Sequence, residues 1–234
     1  MGEQLRIEVI VQNRREARAA EQAGADRLEL VSAMSEGGLT PSYGTIKRVV
    51  EAVNIPVYVM VRPHSYHFCY DEEEMAVIKE DIAMIQELGA SGIVFGSLTQ
   101  EGEINQDYLE QVLNCLNGMG LTFHRAFDEV NDQEQAYQIL CRYKNSVERV
   151  LTSGGAPKAL DGLQTLKKLM ALKEQEQGPE LLIGSGLTLD NLSTLHQAIG
   201  AKEYHFGSGV RMQHSFEQDV DSEHVRRIRQ LLGV

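Results

Sequence analysis

The stretch RIEVIVQNRREARAAEQAGADRLELV, residues 6–31, decides how this chain folds. Its first run, Arg6–Val11, is short and rich in β-branched residues, which is typical of a buried strand. Residues 13–23 repeat apolar side chains three and four positions apart, which indicates an amphipathic helix. A second short run, 27–31, again predicts a strand. Strand, helix and strand in this order form the building unit of a parallel sheet.

The same alternation continues along all 234 residues, with further helical segments at 72–88 and 159–176. Eight units in this length give ~29 residues per unit, close to the ~30 of a barrel built from such units. We therefore predict one domain, 1–234, folded as a TIM (β/α)8 barrel, with a doubly wound open sheet as the alternative. The predicted strands are 6–11, 27–31, 57–61, 92–95, 121–124, 147–151, 181–184 and 204–206.

Charge and cysteine usage narrow the class of protein. There are 22 Lys and Arg against 34 Asp and Glu, a net charge of -12 that repels a nucleic-acid backbone. Cys69, Cys115 and Cys141 form no CxxC pair, which suits a reducing compartment. No apolar run has the length of a signal peptide or of a membrane span. We expect a cytoplasmic protein with neither nucleic-acid nor membrane partners.

Polar residues between apolar ones show which strand side chains point into the barrel, because alternate side chains face the helices and the interior. By this reasoning Glu8 and Glu29 each send a carboxylate inward. A barrel interior normally holds Val, Ile and Leu, and an unpaired buried charge is costly, so such a cluster needs a reason. The other inward residues predicted in this way are Met60, Arg62, Thr122, His124 and His205.

This inward cluster has two interpretations. In the first, Glu8, Glu29 and Arg62 form an ion-pair network that only fixes strand register. In the second, the cluster binds a small anionic or polyhydroxy ligand and moves protons on it. The second interpretation gives an enzyme with either glutamate as general base, His124 as acid, Arg62 as anion anchor, and Asp128 orienting His124 or pairing with Arg125. Its predicted catalytic residues are Glu8, Glu29, Arg62, His124, Asp128 and His205.

The last two predicted strands end in matching glycine turns. These are Gly184, Ser185 and Gly186 after strand seven and Gly207, Ser208 and Gly209 after strand eight. TIM barrels commonly hold a phosphate at these loops, because glycine lets backbone N–H groups approach an anion. The turns therefore predict a phosphorylated ligand. The alternative is that the glycines only make tight turns.

Two segments, 32–42 and 63–71, are longer than the short loops that join the other predicted strands and helices. Long loops at this face of a barrel tend to carry function. The second contains His64, His67 and Cys69, which are soft or borderline ligands that a flexible loop can gather on one metal. The alternative is a lid with an incidental cysteine. Cys115 and Cys141 are expected to fill the core.

Five motifs carry a resemblance to a known family: EGGLTPS (36–42), VMVRP (59–63), VFGSL (94–98), TFHRAFD (122–128) and VLTSGG (150–155). In this order, and over nearly the whole chain, the sequence closely resembles the CutC family. The resemblance implies a TIM barrel with a cytoplasmic role in copper homeostasis that forms homo-oligomers.

The chain departs from the family where the resemblance implies copper ligands. The family usually has a cysteine two residues after each inward glutamate, whereas this chain has Ile10 and Val31. The loop after strand three reads RPHSYHFCY (62–70) and introduces a histidine and a cysteine. A Cu(I) site would therefore depend on that loop, since thiolate and thioether ligands suit this ion. The candidate ligands are Cys69 with Met60 or His67.

Overall fold

Eight short parallel strands close on themselves in the computed structural model, which describes residues 5–234. Each strand pairs with the next along the chain, and the last pairs with the first. The predicted TIM barrel is confirmed, and the open-sheet alternative is wrong. The strands are β1 (Arg6–Val11), β2 (Arg27–Leu30), β3 (Val57–Met60), β4 (Gly92–Phe95), β5 (Gly120–Phe123), β6 (Val147–Thr152), β7 (Glu180–Ile183) and β8 (Glu203–Phe206).

A helix follows every strand. Within residues 5–234, none of these helices has the length and apolarity needed to cross a bilayer. Short 3-10 turns at Met34–Glu36, Arg125–Glu129, Ser208–Val210 and Met212–His214 lie in the loops that follow strands. The helices are α1 (Arg14–Ala23), α2 (Tyr43–Val50), α3 (Glu72–Glu87), α4 (Gln106–Cys115), α5 (Gln133–Cys141), α6 (Leu163–Glu176), α7 (Leu189–Ile199) and α8 (Ser222–Leu232).

Local chemistry explains where α1 begins and ends. The Asn13 side chain accepts a hydrogen bond from the Glu16 N–H, which satisfies one of the donors left free at a helix start. The helix stops at Gly24, whose φ of 99° is a left-handed conformation that glycine adopts without strain. Between these ends Ala17 and Ala20 are buried, and these small side chains bring the helix close to the barrel.

The observed strands differ from the predicted ones mainly at their ends. β7 and β8 begin one residue earlier than predicted, at Glu180 and Glu203, because a charge at a strand start resembles a loop in the sequence. Glu203 is nevertheless buried, since it pairs with two arginines inside the barrel. Residue 124, predicted at the end of β5, lies just beyond it. The helix predicted over 159–176 starts at Leu163, after a turn that contains Gly162.

The core has two parts. The larger part fills the space between strands and helices and includes Ile7, Val9 and Val11 of β1. The smaller part lies inside the barrel and consists of Ile10, Val31, Tyr58, Met60 and Val94. This division follows the predicted alternation of outward and inward side chains.

A buried polar network fills the rest of the barrel interior. Arg27 pairs with Glu8 and Glu203, and Arg149 pairs with Glu203 at 3.2 Å. The Tyr58 ring lies under both guanidinium groups, with their central carbons 5.5 and 4.6 Å from its centroid. Each charge of this network therefore has a partner of opposite sign, which offsets its loss of hydration.

Candidate active site at the barrel mouth

A cavity of about 260 Å³ opens beyond the carboxyl ends of the strands. TIM-barrel enzymes carry their active sites at this face. The cavity combines charged and imidazole groups with an apolar wall. The predicted site residues that line it are Glu29, Met60, Arg62, His124, Ser185, Gly186, His205, Gly207, Ser208 and Gly209. Its other lining residues are Ile10, Val31, Met34, Gly37, Phe68, Arg125, Leu151, Leu187 and Phe216.

Three buried side chains form a row at one side of this cavity. The His205 ring lies between two carboxylates, with Nδ1 2.7 Å from Glu8 and Nε2 3.3 Å from Glu29. Glu29 and His205 line the cavity, whereas Glu8 does not. β1 lies between β2 and β8 in the barrel, so these three strands bring the row together. Only Glu29 and His205 are therefore open to a ligand.

The network behind the row sets its protonation. Burial by itself would raise the pKa of Glu8, but Arg27 and His205 outweigh burial and hold that pKa well below its usual range. Burial raises the pKa of Glu29 to about 7, with a further contribution from the Glu8 charge. Burial opposes protonation of His205, yet both carboxylates raise its pKa. Glu8 is thus a fixed anion, whereas Glu29 has a pKa near neutral pH and His205 holds its proton more tightly than a free imidazole.

Arg62 lies at another part of the cavity wall without an anionic partner among residues 5–234. Its guanidinium donates to the backbone carbonyls of Glu36, Gly38 and Ser65 at 3.1 to 3.4 Å and stacks on the Phe68 ring at 4.6 Å. The side chain is only 7% exposed, and its Nε has no hydrogen-bond partner in the described chain. Arg27, not Arg62, is the arginine that pairs with Glu8. The predicted ion-pair network of Glu8, Glu29 and Arg62 is therefore wrong for Arg62.

His124 is a neutral imidazole. Its Nδ1 accepts a hydrogen bond from the Ala126 N–H at 3.1 Å, which leaves the ring proton on Nε2. Burial and the nearby Arg62 charge lower its pKa to about 3. Nε2 has no partner within residues 5–234. The ring therefore presents one unused N–H donor.

Asp128 organises the loops around Arg125 and has no hydrogen bond to His124. Of the two predicted roles, the structure shows the pairing with Arg125, at 2.7 Å. Arg125 in turn donates to Ser185 at 3.3 Å, which links the loop after β5 to the turn after β7. The six groups that donate to Asp128 are Arg125 Nε, Gln133 Nε2, Thr152 Oγ1, Ser153 N, Ser153 Oγ and Gly155 N.

The glycine turns lie beside the cavity, with one member behind it. Gly184 is not among the lining residues, whereas the other five predicted residues are. Gly186 has a φ of 70°, and a β-carbon on Gly209 would lie 1.8 Å from the Leu187 carbonyl oxygen. The turn after β8 therefore requires glycine for its close approach to the turn after β7.

The candidate copper ligands lie in two different pockets. Cys69 and His67 line a surface pocket with Asp71 and Glu74, whereas Met60 lines the central cavity. The Cys69 thiol donates to the Thr99 carbonyl at 3.2 Å, and burial raises its pKa, which disfavours the thiolate. Cys115 and Cys141 pack against the core as predicted.

One group of side chains in the described chain has the spacing of a metal site, namely Glu8, Glu29 and His205, whose ligand atoms lie within 4.8 Å of one another. These are hard oxygen and borderline nitrogen donors, which do not fit Cu(I). Glu8 is moreover engaged by Arg27 and His205 on its two oxygens. The three side chains are therefore better suited to binding protons than to binding a metal cation.

Three charged residues of the buried network were not predicted from the sequence: Arg27, Arg149 and Glu203. A signal for two of them exists, because Arg27 and Glu29 are two residues apart on β2, as are Glu203 and His205 on β8. Residues two apart on a strand share a face, so both charges were predictable as inward. Arg149 carries no comparable signal, since it lies next to an apolar run in β6.

Comparison with known proteins identifies relatives over most of the chain. The CutC family model matches residues 5–210. A family protein CutC from Klebsiella pneumoniae is 39% identical over 90% of this chain and 87% of its own. The human copper homeostasis protein cutC homolog is 42% identical over 85% of this chain and 71% of its own. The crystal structure of a CutC from Streptococcus agalactiae, described as a copper homeostasis protein, is 30% identical, with a TM-score of 0.79 over 87% of this chain and 98% of its own. The chain belongs to the CutC family.

Proposed function

We propose that the cavity at the barrel mouth binds a small organic anion and that Glu29 and His205 move a proton on it. The observation that carries this proposal is Arg62, a buried guanidinium on the cavity wall with no carboxylate partner in the described chain. A buried charge without a counter-ion is costly, and an anionic ligand group would supply the counter-ion. Arginine also binds carboxylate and phosphate through paired hydrogen bonds.

Glu29 is the general base in this proposal. It lines the cavity, and a pKa near 7 lets it both accept and return a proton at neutral pH. His205 Nε2 lies 3.3 Å from Glu29, close enough for the two groups to share a proton, and Glu8 holds the ring through Nδ1. His124 is a hydrogen-bond donor rather than an acid, because its low pKa keeps the ring neutral.

A phosphate on the ligand would lie over the turns after β7 and β8. Gly186, Gly207 and Ser208 line that side of the cavity, and their small side chains let an anion approach the backbone. Arg125 also lines the cavity there and donates to Ser185, with its charge balanced by Asp128. The turn and the arginine together favour a phosphorylated metabolite.

Calorimetric titration with inorganic phosphate, pyruvate and dihydroxyacetone phosphate tests this proposal. At least one probe should bind the wild-type protein, and Arg62→Ala should weaken binding at least tenfold, or about 1.4 kcal/mol. Glu73→Gln, an exposed change on α3, is the control and should bind as wild type does. If no probe binds, or if Arg62→Ala binds equally well, the proposal is wrong.

Copper handling is the second candidate function, favoured by membership of a family whose human and streptococcal members are named for copper homeostasis. Cys69 and His67 share one surface pocket and are the soft ligands that remain where Ile10 and Val31 replace the usual cysteines. An anaerobic Cu(I) titration against a competing chelator should show stoichiometric binding that Cys69→Ala abolishes. Binding unchanged in Cys69→Ala would exclude this site.

Family membership also supports two further proposals, a cytoplasmic location and a homo-oligomeric state. Light scattering on the eluted protein measures the second directly. A mass of 26.1 kDa, that of one chain, would contradict it.

A further inference from the structure

Two hydrogen-bond donors on the cavity wall have no acceptor within residues 5–234. They are Nε of Arg62 and Nε2 of His124. Both side chains are more than nine-tenths buried, and both contact the Phe68 ring, at 4.6 and 4.8 Å. A buried donor without an acceptor costs about 1–3 kcal/mol. Both residues line one cavity, so a ligand oxygen seated between the two side chains there would give each buried donor an acceptor.

Neither donor gives up its proton easily. A guanidinium stays protonated in proteins. His124 is already neutral, so releasing the Nε2 proton would leave an imidazolate, which is far less accessible than release from an imidazolium. Donors that keep their protons stabilise negative charge on an oxygen without neutralising it, which is the property of an oxyanion hole.

Apolar side chains as well as its partner His205 lie beside the base in the same cavity. Ile10, Val31 and Met60 belong to the inner core beside it, and Met34 and Phe216 pack against them. Apolar walls exclude water from a bound ligand and favour proton transfer from weakly acidic groups, because a poorly hydrated carboxylate is a stronger base. The cavity thus holds a desolvated base together with an oxyanion site.

Building on the proton-transfer function proposed above, we infer that the substrate is an anionic carbonyl compound with a C–H bond next to the carbonyl, and that it reacts through an enolate. The Glu29 carboxylate takes the proton from that carbon. The C–H electron pair forms the new C=C bond, and the carbonyl π pair moves onto oxygen, which Arg62 Nε–H and His124 Nε2–H hold. Return of the proton from Glu29 to the same carbon restores the carbonyl, so no oxidant, reductant or co-reactant is consumed.

Deuterium exchange tests the inference. Pyruvate and dihydroxyacetone phosphate are incubated with the protein in D2O, and loss of the C–H signal is followed by proton NMR. The wild-type protein should exchange at least one of them about 100-fold faster than Glu29→Gln does, since a positioned base contributes about that much. Arg62→Lys and His124→Phe should slow exchange by a similar factor. Circular dichroism reports whether each variant folds, and Glu73→Gln should match wild type.

Binding measured in parallel separates this inference from the function on which it rests. Oxalate, a planar copy of the pyruvate enolate, should bind at least tenfold more tightly than pyruvate. A probe that binds in an Arg62-dependent manner yet exchanges only at the buffer rate overturns the enolate chemistry and leaves anion binding intact. Exchange that persists in Glu29→Gln overturns the assigned base. Absence of binding by every probe overturns both.

Discussion

The Nδ1 atom of His205 lies 2.7 Å from Oε1 of Glu8, although 197 positions separate the two residues in the chain. Glu8 does not reach the cavity, and its other oxygen is bound by Arg27. A carboxylate that contacts one imidazole nitrogen fixes the orientation of the ring and favours a proton on that nitrogen. Glu8 is therefore a positioning residue, and its replacement tests the network rather than the ligand.

We expect Glu8→Gln to lower the free energy of unfolding near pH 7 by about 3 kcal/mol, because Arg27 would stay buried with one carboxylate partner fewer. Urea unfolding at pH 7 measures this change. Glu134→Gln removes an exposed pair with Lys168 and should cost much less than Glu8→Gln does, because solvent screens the pair. Equal losses in the two variants would contradict the account of the buried network.

The pH dependence of the free energy of unfolding at acidic pH should also change in Glu8→Gln. The pKa of Glu8 in the folded chain lies below its ordinary value of 4.5, so the unfolded chain binds the proton more tightly. The stabilisation from Glu8 is complete above about pH 4.5 and is lost as the pH falls further. The unfolding free energy of Glu8→Gln should therefore fall less steeply below that pH than that of wild type. Parallel curves would show that Glu8 is not the titrating group.

Glu29→Gln should have the opposite effect on stability. Burial raises the pKa of Glu29 to about 7, so the folded chain binds this proton more tightly and ionisation destabilises the fold as the pH rises from about 4.5 to about 7. Glutamine copies the protonated carboxyl. The variant should be more stable than wild type at pH 8, and the difference should shrink towards pH 4.5 in thermal melts. A less stable variant at pH 8 would refute this.

Arg62→Met should separate ligand binding from stability. It removes a guanidinium that has no carboxylate partner in the described chain and whose bonds to carbonyls are long, at 3.1 to 3.4 Å. We expect unfolding in buffer to change by less than about 1 kcal/mol, since the lost hydrogen bonds and the lost charge burial offset each other. The rise in Tm that a bound probe gives wild type should disappear. A variant that keeps the rise would move the anion site elsewhere.

Asp128→Ala should be the more destabilising of two aspartate changes near α5. It removes the shared acceptor of six donor groups, of which only Ser153 Oγ and Gln133 Nε2 also donate to backbone carbonyls in the described chain, at a cost of about 3 kcal/mol. Asp132→Ala removes only the N-cap of α5 and should cost about 1 kcal/mol. Urea unfolding compares the two directly. If the order is reversed, Asp128 does not organise the loops.

The barrel was predictable because its signals are local. Each strand and helix shows its own periodicity, and the alternation in β1 and β2 correctly sends Glu8 and Glu29 inward. The partners of these residues were harder to predict, since a charged residue at a strand start, such as Glu203, resembles a loop. Register between distant strands decides which arginine meets which carboxylate, and that information is not local.

The sequence predicts which types of residue line the site better than it predicts the role of each residue. Arg62 and Arg27 are both inward arginines, yet only the folded chain shows that one is paired and the other is not. The loop after β3 shows the same limit, since the sequence groups Cys69 with Met60 whereas the fold separates them into two pockets. Loop conformation depends on contacts made across the barrel mouth, which periodicity does not encode.

The pairing of β8 with β1 has a consequence for protein synthesis. A ribosome releases β1 first, and the strand that completes the Glu8, His205 and Glu29 row ends only at Phe206. A nascent chain therefore carries two acidic residues and two arginines on its first two strands long before their imidazole partner is translated. In the function proposed here, proton transfer at Glu29 would begin only once β8 has paired with β1, so its onset would report that the last strand has docked.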